Sequence, residues 1–233
     1  MKIKSIYFLI IIVLLVSCQK KITDLEFEKN VMTEILPGLI DSTCIDTRIY
    51  MNPPPSYGKM IFDSTGHYVG VDSTKATKEE KEELLKWKSN MEKVKRDTSK
   101  IIVAFDPKIK KNNEDVKEAF EKHFKGAKIF NVNEQVETEY TLDFKNIKLE
   151  NKFQLKDISE FPKDKELLWR TKYNFVFSGV VYFSRIQFDK EKKFGILDGG
   201  FVCGGRCGQG FRIYIKRINN KWVIDEVEAT WIA

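Results

Sequence analysis

Histidine is scarce in this sequence, and the motifs of common hydrolytic active sites are absent from it. The chain has 233 residues, of which His67 and His123 are the histidines. Neither lies near a nucleophile motif, and neither Gly-x-Ser-x-Gly nor His-Glu-x-x-His occurs. The neighbouring acids Asp225 and Glu226 fall on a predicted strand, so we expect their side chains to face opposite ways and not to share a substrate. We therefore predict no catalytic residue and no cofactor, and we favour a non-enzymatic protein.

A strong excess of charge is also missing. Lys and Arg number 40, Asp and Glu number 34, and the formal net charge is +6. The basic residues alternate with acidic ones and form no one-sided basic stripe, which argues against nucleic acid as a partner. Hydrophobic residues make up 42% of the chain and aromatic residues 12%. This composition is sufficient for a packed core.

The one long apolar run lies near the start of the chain and is too short to span a membrane. Lys2 and Lys4 precede an apolar run at residues 6–16, which is about eleven residues long, whereas a spanning helix needs ~20. Ser17 and Cys18 follow, and this order resembles the lipobox of bacterial lipoproteins. We predict that residues 1–17 are a signal peptide and that Cys18 is lipidated. Lipidation would anchor the protein to a membrane without a spanning helix.

The residues after Cys18 indicate the membrane in which the protein is located. Residues 19–21 read Gln-Lys-Lys and contain no acid. By resemblance to lipoprotein sorting rules, nothing there retains the protein at the inner membrane, and no acidic cluster marks it for surface export. We predict a lipid-anchored protein of the cell envelope, at the outer membrane and facing the periplasm.

Cysteines are few, and the compartment decides how they are used. Besides Cys18, the chain has Cys44, Cys203 and Cys207. Thiols that lie close together become disulfides in an oxidising compartment. We predict a Cys203–Cys207 disulfide across a tight hairpin, since facing residues of antiparallel strands have Cα atoms about 4.5–5.5 Å apart. Cys44 is then a buried free thiol.

The glycine-rich segment at residues 199–210 is the most distinctive feature and admits several functions. Such glycine density indicates either backbone angles that a Cβ forbids or the close approach of another group. The main interpretation is a structural disulfide. A redox pair is disfavoured because the spacing is not Cys-x-x-Cys at a helix start. We predict no metal site, since only Cys44, His67 and His123 could complete one. Gly204, Gly205 and Arg206 remain a candidate ligand or anion loop.

The pattern of apolar residues and caps predicts helices first and strands later. We expect a helix from Asp24 that ends at Pro37-Gly38, a second after the Thr77 capping box, and a third over residues 113–125. A β-branched strand is expected at residues 101–105, and further strands near 140–144 and 148–155. The final strands are predicted at residues 175–188, 194–203, 210–218 and 221–231, with a two-residue turn at Asn219-Asn220.

These elements predict an α+β fold in which N-terminal helices precede a four-stranded antiparallel meander. The expected organisation is a signal peptide (1–17), a lipidated tether (18–24) and a single domain (25–233). Within the domain, residues 25–126 are mostly helix and loop, and residues 127–233 are mainly strand. The order of elements is similar to cystatin-like and nuclear-transport-factor-like folds, which host both enzymes and binding modules.

Short motifs near both ends of the mature chain resemble a group of uncharacterised lipoproteins from the Bacteroidota. This resemblance implies an envelope location and a fold but brings no activity and no site residues; the middle of the chain does not share it. The motifs are Ile40-Asp41-Ser42, Asp46-x-Arg48, Pro53-Pro54-Pro55, Ser184-Arg185-Ile186-x-Phe188-Asp189, Cys203-Gly204-x-x-Cys207-Gly208-x-Gly210, Lys221-Trp222 and Trp231-Ile232.

The sequence thus favours a membrane-anchored binding module whose partner is a protein or a small ligand. One alternative is an immunity-type lipoprotein that neutralises a toxin, which should bind a single partner tightly with complementary charge. Another is an enzyme with a pocket in the meander, which should hold at least one acid or base with a perturbed pKa.

Overall fold

The computed structural model describes residues 22–112, 114–130 and 139–233. Its helices are α1 (Asp24–Thr43), α2 (Thr47–Tyr50), α3 (Lys78–Arg96), α4 (Lys117–His123) and α5 (Lys165–Arg170). Its strands are β1 (Lys59–Phe62), β2 (Tyr68–Asp72), β3 (Ile101–Phe105), β4 (Lys108–Lys110), β5 (Glu139–Thr141), β6 (Phe153–Asp157), β7 (Val176–Phe183), β8 (Gln187–Phe188), β9 (Phe194–Gly204), β10 (Cys207–Ile218) and β11 (Lys221–Ile232). The predicted α+β class is confirmed. None of the described helices is long and apolar enough to cross a membrane.

The main sheet is larger than the predicted four-stranded one. Within the described residues it has seven strands in the order β11-β10-β9-β7-β3-β6, and β8 pairs with β9. The run from β7 through β9 and β10 to β11 is antiparallel, whereas β3 lies parallel to both β7 and β6. Strand β3 was predicted, but a parallel pairing between distant segments leaves no short-range signal in the sequence. Two further pairs, β1–β2 and β4–β5, form separate small sheets.

Helix α1 packs across one face of the sheet, which we call the inner face. Thr23 caps this helix by accepting a hydrogen bond from the Glu26 N–H. The helix continues to Thr43, so the prediction that it ends at Pro37-Gly38 is wrong. A proline inside a helix costs about 3 kcal/mol, but Leu39 and Ile40 beyond it are fully buried in the core. Their burial, worth about 1.5–3 kcal/mol each, offsets that cost.

Other local predictions can be compared directly with the structure. Thr77 and Glu80 form the predicted capping box at the start of α3. Asn219 and Asn220 both have positive φ, at 49° and 64°, and make the predicted turn between β10 and β11. Helix α4 is shorter than the predicted span of residues 113–125. Caps and turns depend on neighbouring residues alone, which is why they could be predicted.

The opposite face of the sheet, which we call the outer face, is covered in two separate places. Helix α4 covers one end through Val116, Phe120 and Phe124, which pack on Ile196 and Tyr214. A second cluster covers the end near β3 and contains Ile102, Ala104, Phe161 and Leu168. The residues of the sheet that lie between these two clusters are not covered by either of them. The candidate site lies in this gap.

Candidate functional site

The structure shows the state of three cysteines, and the fourth lies outside the described residues. Cys18 lies outside the described residues, so its lipidation stays a prediction. Cys203 and Cys207 form the predicted disulfide, with Cα atoms 5.0 Å apart. Cys44 is a buried free thiol, as expected. Burial raises the pKa of Cys44 to about 12, which makes this thiol unreactive at neutral pH.

The candidate anion loop forms the tip of the β9–β10 hairpin. Gly205 and Arg206 make the turn and are both exposed, while Gly204 ends β9. An added Cβ on Gly205 would meet nothing within 4 Å. The loop is therefore open to solvent, and anion binding by Arg206 stays a prediction.

The glycines before and after this turn serve close approach of aromatic rings. None of the glycines of β9 and β10 has a left-handed φ in the described structure. An added Cβ on Gly200 would lie 2.5 Å from the Tyr182 hydroxyl, and one on Gly208 would lie 3.1 Å from the Trp231 ring. On Gly210 an added Cβ would collide with the indole nitrogen of Trp231. Of the two explanations that glycine density suggests, close approach is therefore the correct one here.

Tyr182 and Trp231 are brought together by the register of four strands. Tyr182 on β7 pairs with Gly200 on β9, which pairs with Gly210 on β10, which pairs with Trp231 on β11. Paired residues of neighbouring strands share one face of a sheet. The two aromatic rings therefore fold towards each other over a pair of glycines on the outer face. Their exposed fractions are 39% for Tyr182 and 41% for Trp231.

This aromatic pair borders a cleft of about 480 Å³. The opposite wall is β4 and the segment after it, which contribute Lys108, Lys110 and Lys111. A bridge between Lys110 and Ser184 holds this wall beside the end of β7. The volume lies within the range of small-molecule sites, about 300–1,000 Å³. We call this space the outer-face cleft.

The acidic residues of the cleft already have hydrogen-bond partners. Asp198 accepts from Arg212 at 3.0 Å and also from the Asn112 side chain. Glu114 accepts from Arg212 at 2.8 Å. The hydrogen bond to Asp198 raises the pKa of Arg212, so this guanidinium stays charged across the physiological range. Asp106 accepts from the backbone N–H of Lys108 at 3.0 Å.

Several of the hydrogen-bond donors that line the cleft have no acceptor among the described residues. Lys108 differs from them, because its Nζ lies 3.7 Å from Oε1 of Glu139. In the part of the chain that the structure describes, Lys110 and Lys111 have no ion-pair partner, and the Tyr182 hydroxyl and the Trp231 indole N–H have no hydrogen-bond partner. Lys111 is half-buried. The cleft thus presents spare donors to whatever occupies it.

A second polar cluster lies under α4, around His123. Its Nε2 is 3.0 Å from Asp225 and its Nδ1 is 3.2 Å from Glu226. The expectation that these two acids face opposite ways is wrong. Tyr214 pairs with Glu226 but Ile215 pairs with Ile224, so Asp225 is the extra residue of a β-bulge. A bulge turns neighbouring side chains towards the same side of a strand.

The acids beside His123 are held mostly by ion pairs. Burial alone would raise the pKa of Asp225, but hydrogen bonds from Lys216 and His123 outweigh it and lower that pKa. The His123 ring also stacks on Tyr214, with ring centroids 3.9 Å apart. Burial and the neighbouring Glu228 raise the pKa of Tyr214 to about 12. These contacts attach α4 to the sheet, which gives the cluster a structural role. Among the described residues, no group of three or more His, Cys, Asp or Glu side chains is arranged to hold a metal ion.

The sequence did not predict Tyr182, Trp231, Lys110 or Lys111 as site residues. They lie on β7, β11, β4 and the segment after β4, and only the register and two β-bulges in the β10–β11 pair bring them together. The usable signal was the pair Gly200 and Gly210, since glycine in adjacent strands indicates that another group approaches the sheet. No known family, curated protein or solved structure matches this chain at a significant level.

Proposed function

We propose that this chain is a lipid-anchored, non-catalytic binding protein of the bacterial cell envelope, and that it holds a small ligand in the outer-face cleft. The observation that carries the proposal is that one cleft is lined by two half-exposed aromatic rings and by two lysines that have no ion-pair partner among the described residues. Ligand sites combine apolar walls with a few convergent polar groups in this way. Neither of the two clusters on the outer face covers this part of the sheet, which leaves a path by which a ligand would enter from solvent.

The envelope location rests on the sequence and is supported by one structural feature. The basic start, the apolar run and the Ser17-Cys18 pair have the order of a lipoprotein signal. The Cys203–Cys207 disulfide suits an oxidising compartment, where such bonds persist. The outer membrane, with the domain facing the periplasm, remains the proposed address. The analogy to cystatin-like or nuclear-transport-factor-like folds also stays a proposal, and such folds suit a binding role.

Non-catalytic binding is supported by how the side chains of the cleft are used. Ser184, the hydroxyl nearest the network, donates to the Arg185 carbonyl and accepts from the Asp198 N–H. It is therefore occupied by backbone contacts and has no adjacent base among the cleft-lining residues. A nucleophile needs a base within hydrogen-bond reach. Asp198 is likewise held by Arg212 and is not free to move a proton.

Lipidation is tested by labelling growing cells with an alkyne fatty acid and comparing the wild type with Cys18→Ser. We expect the label on the wild-type protein alone. The variant protein should also leave the membrane fraction, because the lipid on Cys18 would be its membrane anchor. Equal labelling of the two proteins would overturn the lipoprotein part of the proposal.

Ligand binding is tested by fluorine NMR of the full-length protein, labelled with 5-fluorotryptophan and purified in detergent micelles. The chain has four tryptophans, and Trp→Phe variants assign their signals. Trp231 reports on the cleft, whereas Trp222 is 6% exposed in the core and serves as the reference. We expect a pool from a mixed library of anionic, neutral and cationic metabolites to shift the Trp231 signal alone. A Trp231 signal that no pool moves would contradict the proposal.

A protein partner is the second candidate, and the β1–β2 hairpin favours it. This hairpin exposes Met60, Phe62, Tyr68 and Val69, each with more than half of its surface accessible. Clustered exposed apolar side chains mark interaction sites. Crosslinked pull-down from native membranes, with wild type and a Phe62→Ser/Tyr68→Ser variant, tests it. A stoichiometric partner that the variant fails to capture would support protein binding, and an equal yield from both would count against this surface.

A further inference from the structure

We propose that the ligand of the outer-face cleft is a ring-bearing organic anion. Its oxyanion group lies against Lys110 and Lys111, and its ring lies on Tyr182 and Trp231. This inference rests on the proposed binding function and specifies the chemistry of the ligand. It follows from three observations: the hydrogen-bond capacity of the cleft, the charge of its free groups and the shape of its floor.

Each acid of the cleft accepts at least one hydrogen bond, whereas several donors of the cleft have no acceptor among the described residues. Arg212 donates to both Asp198 and Glu114, and Asp106 accepts from the chain at the start of β4. The ammonium groups of Lys110 and Lys111 have no acceptor among the described residues, and neither has the indole N–H of Trp231. A ligand that satisfies them must supply acceptor oxygens. Hydrogen bonds between charged partners are about twice as strong as neutral ones, so a negatively charged acceptor fits best.

The position of Lys111 strengthens the charge argument. Its side chain is half-buried, and a cation removed from water is costly unless an anion lies nearby. The Lys110–Ser184 bridge fixes the adjoining backbone, so the two ammonium groups are carried by a wall that is tied to the sheet. A tied wall presents its charges without a large loss of entropy on binding.

The floor of the cleft explains why the anion should carry a ring. The Tyr182 ring lies over Gly200, and the Trp231 ring spans Gly208 and Gly210. With no side chains on these glycines, the rings lie low on the sheet and their polar ends approach the same glycine pair. A flat ligand ring can cover the aromatic faces while its oxygens reach the indole N–H and the tyrosine hydroxyl. A ligand without a ring would leave these faces exposed to water.

The test uses probes that share a ring and differ in charge, read by the fluorine signal of Trp231. Benzoate is compared with benzamide, and glucuronate and glucose 6-phosphate are compared with glucose. The aromatic and sugar arms distinguish the kind of ring, and the carboxylate and phosphate arms distinguish the kind of oxyanion. Each probe is titrated into the wild type, into Lys110→Ala/Lys111→Ala, and into Lys86→Ala/Lys88→Ala. The last variant removes two exposed charges from α3 and is the matched control.

We expect at least one anion to bind at least ten-fold more tightly than its neutral counterpart, and Lys110→Ala/Lys111→Ala to weaken that binding about ten-fold or more. The control variant should bind as the wild type does, and added salt should weaken binding of the anion alone. Circular dichroism verifies that both double variants are folded.

Two results would overturn the inference without touching the binding function. In one, a neutral probe binds as tightly as its anionic counterpart. In the other, all three anions leave Trp231 unmoved although neutral or cationic library compounds shift it. If no library compound and no probe moves the Trp231 signal, the binding function itself fails, and the ligand class fails with it.

Discussion

The two faces of the main sheet differ in how deeply they bury their polar groups. On the inner face, Glu28 of α1 meets Arg185 beneath the helix, and their side chains are 3% and 5% exposed. Glu28 also accepts from the Ile186 N–H at 3.0 Å. On the outer face, Tyr182 and Trp231 keep polar groups that no described residue satisfies. The inner face thus buries its ion pair in the core, whereas the outer face leaves donors exposed that the proposed ligand would satisfy.

The same contrast holds for packing. The inner face is one continuous core that runs from α1 to β11. The outer face has two small clusters with a gap between them. A continuous core resists change because its atoms have no room to move. The gap on the outer face leaves side chains such as Tyr182 and Trp231 half-exposed, so a change there meets less resistance than in the inner core.

The largest effect should come from breaking the inner ion pair. We expect Glu28→Ala to lower the free energy of unfolding by about 3 kcal/mol, because the truncation leaves a cavity under α1 and removes the oxygens that accept from the buried Arg185. Urea unfolding followed by circular dichroism measures the change. Glu26→Ala, on the exposed side of the same helix, is the control and should stay within about 0.5 kcal/mol of the wild type. Equal midpoints for the two variants would show that the inner pair is not needed.

A smaller loss of unfolding free energy is expected when glycines on the two faces are replaced by alanine, and it should differ between the faces. An added Cβ on Gly199 would lie 2.5 Å from the buried Phe183 ring, whereas on Gly210 it would meet the half-exposed Trp231. We expect Gly199→Ala to lose about 1–3 kcal/mol through overpacking. Gly210→Ala should lose less, because Trp231 can swing out into solvent.

The matched measurement is urea unfolding together with the fluorine signal of Trp231. Gly210→Ala should move that signal and weaken ligand binding, and Gly199→Ala should move it less, because its added methyl meets Phe183 and not Trp231. If both variants lose the same free energy, the two faces are equally rigid and the comparison fails.

The smallest effect should appear as a pH dependence on the outer face. The net lowering of the pKa of Asp225 means that its carboxylate stabilises the fold above its unfolded pKa, about 3.9, and that this contribution is lost as the pH falls through the lower folded pKa. We expect Asp225→Asn to be about 1 kcal/mol less stable than the wild type at pH 6. The two proteins should converge as the pH falls below about 4.

Glu28 on the inner face should behave in the opposite way. Burial raises its pKa even though Arg185 and the Ile186 N–H lower it. A carboxyl with a raised folded pKa binds its proton more readily in the folded state, so acid does not remove stability through this group. Unfolding free energies measured from pH 6 to pH 3 for wild type, Asp225→Asn and Glu28→Ala test the contrast. If the free energy of unfolding of the wild type stays above that of Asp225→Asn by a constant amount down to pH 3, the expected role of Asp225 is wrong.

Local features of the fold were readable from the sequence because their causes are local. The capping box at Thr77, the positive-φ turn at Asn219-Asn220 and the Cys203–Cys207 disulfide each depend on residues a few positions apart. The end of α1 was not predictable in this way. Pro37 argues for a helix end, but the sheet buries Leu39 and Ile40, and this tertiary contact is not visible in the local pattern.

The candidate site was harder to predict, since the register of the strand pairs determines which side chains lie next to each other. Period-two alternation separates Asp225 from Glu226, but the bulge at Ile215 places both beside His123. The glycines at residues 199–210 suggested an anion loop at the hairpin tip. Most of them instead accommodate aromatic rings from strands β7 and β11. A bulge and a cross-strand ring contact depend on pairing, which composition does not encode.

The parallel strand β3 also bears on the order in which the molecule assembles. Strands β9, β10 and β11 join neighbours along the chain by short turns, while residues 101–105 must find residues 153–157 and 176–181. Contacts between distant segments form slowly because the loop entropy is lost first. We expect the C-terminal hairpins to gain protection before β3 docks, which pulse-labelled hydrogen exchange during refolding would reveal, and simultaneous protection would refute. Since β4 follows β3, its lysines would reach the sheet late, and the outer-face cleft would lack one wall until folding is nearly finished.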